Sequence, residues 1–309
     1  MKKVINSENI EGRLYQYDLA KKTVENKESK NYGKEYISGT VEVATDDEGL
    51  NVIPVHYTFK TELTNNGKTD FSYGILNNMI EGKYKTWIAD GKDEATKVRL
   101  SPSIALNDFI AADGTMVAQK VNESGFISIV NGDLAPEDHN QRNKFKCDML
   151  ITGVTEVDET EDYPPMQRIK GAIFNFRGDL LPVEFICRGS LMEYFRSIEP
   201  SSSEPVFTYV EGGIFNNHVT HTIKEEGAFG SVSVRTVTRN IKEYVIDYVK
   251  QAEYEYGAEG VLTVEELRQK DQDRQVYLAG VKKRHDDYIA QRDAAATTAK
   301  PVVTENFNF

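Results

Sequence analysis

The sequence predicts a mainly β protein: two five-stranded barrels in tandem, followed by a C-terminal helix and a disordered tail. Three observations predict it. Segments rich in β-branched and aromatic residues, bounded by Gly, Asp, Asn and Pro, dominate the first 250 positions. One supersecondary unit occurs twice, and helical periodicity over a long stretch begins only after residue 250.

The first unit opens with a strand, IEGRLYQY (10–17), followed by the hairpin YISGTVEV (36–43) and NVIPVHYTFK (51–60). FSYGILNNMIEG (71–82) then reads as a short helix and KTWIA (85–89) as the fourth strand. Extended segments ending in GFISIV (125–130) close the unit. The second unit repeats this order in CDMLITGVTEV (147–157), IKGAIFNF (169–176), LPVEFICR (181–188), the helix-like SLMEYFRSIE (190–199), VFTYV (206–210) and SVSVRTVTR (231–239).

The repeat shows when the hairpins are superposed. Ile37-Ser38-Gly39-Thr40-Val41 falls on Ile169-Lys170-Gly171-Ala172-Ile173, and Pro54-Val55-His56-Tyr57 on Pro182-Val183-Glu184-Phe185. The Gly-to-Pro interval differs only by turn length, where duplicated units vary most freely. A strand, a hairpin, a short helix and a closing hairpin is the order of the oligonucleotide-binding (OB) barrel. A two-sheet sandwich would give similar strand signals, and the interposed helix is what favours the barrel.

The expected division is a first barrel at 1–135, a second at 136–250, and the helix and flexible tail at 251–309, with the polar stretch 131–146 as linker. In the last part Thr263 stands three residues before Glu266, a capping box. Leu267, Tyr277, Leu278, Val281, Tyr288 and Ile289 recur at roughly helical spacing.

Composition narrows the function. The longest apolar runs fall far short of the ~20 residues needed to cross a bilayer, so no membrane partner is expected. With no signal-like N-terminus, cytoplasmic residence is the default expectation. Cys147 and Cys187 lack metal or CxxC spacing and read as two reduced thiols in strands. No phosphate-loop, dinucleotide, zincin or nucleophile-elbow motif occurs, so neither enzyme activity nor a cofactor is expected. His218 and His221 would point to opposite faces of a strand, and Glu156, Asp158, Glu159, Glu161 and Asp162 read as a solvated turn rather than a nuclease site.

What remains is a surface suited to tracking a single strand, in which cations meet phosphates and aromatic rings stack on bases. The net charge of −12 argues against this only if the positive charges are dispersed. Alternation in the second hairpin places Ile169, Gly171 and Ile173 inward and Arg168, Lys170, Phe174 and Phe176 outward, with Arg188 outward on the partner strand. In the first copy Tyr36, Ser38 and Thr40 face out opposite His56, Thr58 and Lys60. Upstream, Lys30, Tyr32 and Lys34 form a clamp-like loop, and Lys85 and Trp87 repeat the mixture on the expected fourth strand.

The stretch KNYGKEYISGTVEVATDDEGLNVIPVHYTF, followed late in the chain by YEYGAEGVLTVEELRQ and a charged helix, resembles single-stranded DNA-binding proteins of phages and prophages of low-GC Gram-positive bacteria. The resemblance implies tandem OB folds, sequence-tolerant binding of single-stranded DNA, and a role in phage replication or recombination. It also implies contact with replication or recombination proteins through the C-terminal tail, which ends in Phe309. The helix is also a candidate for pairing copies of the chain. The rival expectation is a virion or assembly protein whose aromatic faces are subunit interfaces.

Overall fold

A computed structural model of the chain describes residues 4–64, 66–135, 139–159, 164–226, 232–250 and 253–298. Its first half contains β1 (Asn6–Tyr17), β2 (Ala20–Thr23), β3 (Glu35–Ala44), β4 (Val52–Lys60), α1 (Phe71–Ile80), α2 (Trp87–Asp90), β5 (Lys97–Ile110) and β6 (Met116–Ile129). Strand β1 pairs antiparallel with both β3 and β5, β3 with β4, and β5 with β6. A short parallel pairing of β4 with β6, Val55 beside Asn122, closes the circuit. Five strands in this closed order, with α1 between the third and fourth, make an OB barrel. Strand β2 is an extra strand on the edge of β3.

The second half repeats the circuit with β7 (Asn143–Val157), β8 (Met166–Phe174), β9 (Leu180–Cys187), β10 (Val206–Glu226) and β11 (Val232–Val249). Here β7 pairs with β8 and β10, β8 with β9, and β10 with β11, while β9 and β11 run parallel. Helix α4 (Met192–Ser197) takes the place of α1, and α3 (His139–Arg142) precedes β7.

Alternation explains the cores. In β3 and β4, Val41, Val43, Ile53, Val55 and Tyr57 are buried; in β9, Leu181, Val183, Phe185 and Cys187 are. Each such aliphatic or aromatic side chain contributes about 1.5–3 kcal/mol. The two repeat glycines mark close approaches: a Cβ on Gly171 would lie 2.0 Å from the Leu150 carbonyl oxygen, and one on Gly39 would meet the Asp18 carbonyl at 2.7 Å. No side chain fits at either position.

Three sequence expectations are corrected. KTWIA forms no strand: Thr86 caps α2 by accepting from the Ala89 amide at 3.3 Å, and its own amide donates to Asp90 at 2.8 Å. The fourth strand is β5, whose Pro102 and Asn107 weaken its strand signature. The polar stretch 131–146 ends inside β7, because Phe145 alternates inward between two lysines. Finally, the closing helix runs on to Thr298, into what reads as tail.

The barrels share one core. Strands β1 and β7 pair antiparallel, from Asn6 beside Cys147 to Ile10 beside Asn143. Ile10, Phe145 and Tyr244 belong to a single apolar cluster spanning both. Asparagines fasten the seam: Asn51 and Asn143 donate to the Ile214 carbonyl at 3.1 and 2.8 Å, and Asn6 donates to the carbonyls of Ile104 and Phe174, each at 2.9 Å.

Helix α5 (Val264–Thr298) lies across both barrels. The capping box forms as expected, Thr263 Oγ1 accepting from the Glu266 amide at 3.2 Å and Glu266 from the Thr263 amide at 2.7 Å. Leu262 and Leu267 pack with Phe174 and Phe207 of the second barrel. Lys270 donates to the Gly178 carbonyl at 2.5 Å, and Arg274 forms a two-pronged, almost fully buried pair with Asp108 at the far end of β5.

Candidate functional site

One end of the first barrel gathers five of the residues that sequence singles out. The loop between β2 and β3 is a compact arm, closed by hydrogen bonds from the Val24 amide to the Lys34 carbonyl (3.0 Å) and from the Gly33 amide to the Val24 carbonyl (2.9 Å). Gly33 permits the turn through its φ of 77°. On this arm Lys27, Lys30 and Lys34 make no ion pair among the described residues, and Tyr32 is 54% exposed.

The arm leads into Tyr36, whose ring packs on Phe59 with centroids 4.6 Å apart. Next to Phe59, Lys60 reaches Asp70 at 2.8 Å and lies 5.9 Å from the centre of the Phe126 ring. Partial burial works against the charge of Asp70. Even so, the bonds from Lys60 and the Ser72 amide hold its carboxyl below the usual carboxylate range. Phe126 is 73% exposed, and Phe71, directly after the capping Asp70, is 87% exposed. The alternation of β6 puts Ile127 in the core and Phe126 outside, so this ring was readable from GFISIV. Phe59 and Phe71 gave no such signal, since a hairpin end and a helix start lack a fixed face.

In the second barrel Arg168 and Lys170 face out as alternation requires; Arg168 pairs with Glu184 at 2.9 Å. Arg188, six residues beyond Pro182 as Lys60 is beyond Pro54, is held by both oxygens of Glu243 at 2.9 and 3.0 Å. Phe174 is corrected. Its ring is fully buried, edge-on to Phe207 at 6.0 Å and packed with Leu262, because the segment leading into α5 covers this face of β8. Phe176, beyond the strand end, is 87% exposed, with the Arg177 guanidinium 5.2 Å from its ring centre.

Lys85 and Trp87 stand apart from both clusters. Lys85 pairs with Glu94 at 2.5 Å, and Trp87 packs against Tyr15 of β1 with centroids 6.0 Å apart. Ser38, expected on the outer face, is buried beside the irregularity between Ile37 and Gly39. Thr40 and His56 do meet across the hairpin, at 3.1 Å.

Among the described residues the remaining candidates form no metal-binding cluster. Cys147 and Cys187 are free and buried, and burial pushes both thiols up, Cys187 to about 12. Glu156 is engaged by Arg196 at 3.0 Å and Gln167 at 2.6 Å. Glu161, Asp162 and the side chains of His218 and His221 lie outside the described residues, as does the chain end from 299 to 309.

Comparison with known proteins places the chain. It matches the YorF family over residues 6–284 and belongs to that family. Among solved structures it is similar to the wild-type single-stranded DNA binding protein from Thermus aquaticus, at 11% identity and a TM-score of 0.46, covering 83% of this chain and 98% of that one. A deletion variant of the same protein matches at 11% identity and a TM-score of 0.47, over 84% of this chain and 100% of the other. No curated protein matches.

Proposed function

We propose that this YorF-family chain binds single-stranded DNA without sequence preference, with no chemistry performed on the strand. One observation carries the reading: on each barrel a phenylalanine ring stands largely in solvent with a cation over it, Phe126 by Lys60 and Phe176 by Arg177. Each ring offers a base a stacking surface, and Arg177, which makes no ion pair among the described residues, offers a phosphate a counter-charge, whereas Lys60 is already paired with Asp70. The second and third strands of the OB circuit, with the loop between its first two, form the face on which this fold takes oligonucleotides. The arm carrying Lys30, Tyr32 and Lys34 is that loop in the first barrel. The setting that the sequence resemblance implies, phage replication or recombination, is the role we assign.

The test is a titration of fluorescent oligo-dT by anisotropy at low and high salt, with Phe126→Ala and Phe176→Ala alongside. We expect salt-sensitive binding, weakened by about 1–3 kcal/mol for each base that loses its stacking partner. No binding at low salt would overturn the reading. Large assemblies indifferent to DNA would support the rival assembly function.

A further inference from the structure

Two lysines in the crease between the barrels make no ion pair among the described residues. Lys120 projects from β6 of the first barrel and Lys242 from β11 of the second. Lys120 Nζ donates to the Glu184 carbonyl, and Lys242 Nζ donates to the Lys120 carbonyl at 3.1 Å. Both ammonium groups lie against the ring of Tyr244, 4.9 and 5.7 Å from its centre, and Lys120 is also 5.4 Å from the centre of Phe185. Both residues are partly buried.

The acids around them are engaged elsewhere. Glu184 is held by Arg168, Glu243 by Arg188, and Glu123 accepts from Thr58 at 2.8 Å. Glu8 of β1, the other carboxyl near Lys242, is 4% exposed, and neither of its oxygens has a hydrogen-bond partner. Burial pushes that carboxyl up to about 8 against the pull of Lys242, and the same burial lowers Lys242 and brings Lys120 down to about 8, so charge on this cluster is poorly compensated from within. His56 of β4 also feels Lys242: burial first, then this lysine, lowers its pKa.

Half-buried ammonium groups left without counter-charge are unfavourable, and a chain with 49 Asp and Glu does not lack acids to pair with them. The missing partner is an anion from outside. We propose that the crease is a phosphate site, in which Lys120 and Lys242 together hold one phosphodiester of the strand where it crosses from one barrel to the other. The inference rests on the single-strand reading above. It adds a contact shared by both barrels, and the outer Thr40–His56 edge of the first barrel adjoins it.

The test compares the full-length chain with Lys120→Gln/Lys242→Gln and Lys120→Arg/Lys242→Arg, using fluorescent oligo-dT long enough to span both barrels. The Gln variant is expected to lose at least tenfold in affinity at low salt, and its slope of log affinity against log salt to flatten by about 0.7, one phosphate contact on a single strand. The Arg variant, which keeps the charge, is expected to retain both. Wild-type affinity and slope in the Gln variant would overturn the crease site and leave the single-strand reading standing. A loss of equal size in the Arg variant would assign the effect to packing and also overturn it. If the wild-type chain binds no oligo-dT, both readings fall together.

Discussion

Two phenylalanines two positions apart have opposite fates, and the difference sets the first prediction. Phe174 is interior, so Phe174→Ala should cost about 3–5 kcal/mol of stability in urea melts. Phe176→Ala should leave the melt unchanged and weaken binding to oligo-dT. Period-two alternation alone put both rings on one outer face; it could not show that Leu262, 88 positions later, covers Phe174 and stops short of Phe176. Glu8 gives the second prediction. Its folded carboxyl binds a proton more tightly than the unfolded one, so the unfolded state is the less protonated between about pH 4.5 and 8, and stability falls as pH rises through that window. Glu8→Gln removes the titration. Its melting temperature should exceed that of the wild type by a margin that grows up to about pH 8, worth on the order of a few kcal/mol. Equal pH profiles for the two proteins would refute this.

At the level of elements, the hairpin repeat and the capping box were plain in the sequence because each rests on local rules: a glycine where no Cβ fits, and a hydroxyl three residues before a glutamate. Gly171→Ala should therefore destabilise the second barrel by several kcal/mol, seen as a lower urea midpoint, since the new methyl would collide with backbone. Long-range fastening was not legible. Nothing in the local pattern of Asp108 or Arg274 announces that they meet across 166 positions. Arg274→Ala leaves Asp108 buried and unpaired, at a cost of about 3–5 kcal/mol. Amide exchange in α5 should rise with it, while Thr263→Ala should cost only about 1 kcal/mol. KTWIA shows the limit from the other side, because a five-residue segment with three apolar residues fits a strand or a helical turn equally and its cap decides.

For the whole molecule, the shared core and the β1–β7 pairing predict a single cooperative unfolding transition by calorimetry, with equal calorimetric and van't Hoff enthalpies. Two separated transitions would mean that the barrels behave as beads on a string. Tandem barrels were visible in the sequence through their duplicated hairpins, but their union was not, because Asn6, Asn51 and Asn143 look like ordinary turn residues until their carbonyl partners are known. That union has a consequence of direction. The first strands of the two barrels run antiparallel where they meet, so the second barrel is turned end for end relative to the first. A polynucleotide has a 5′ and a 3′ end. If both barrels grip it in the same sense, it must double back on itself at the seam, and its two ends would leave on the same side. An oligonucleotide labelled with a dye pair at its ends would then show high energy transfer when bound, where a straight path would show little.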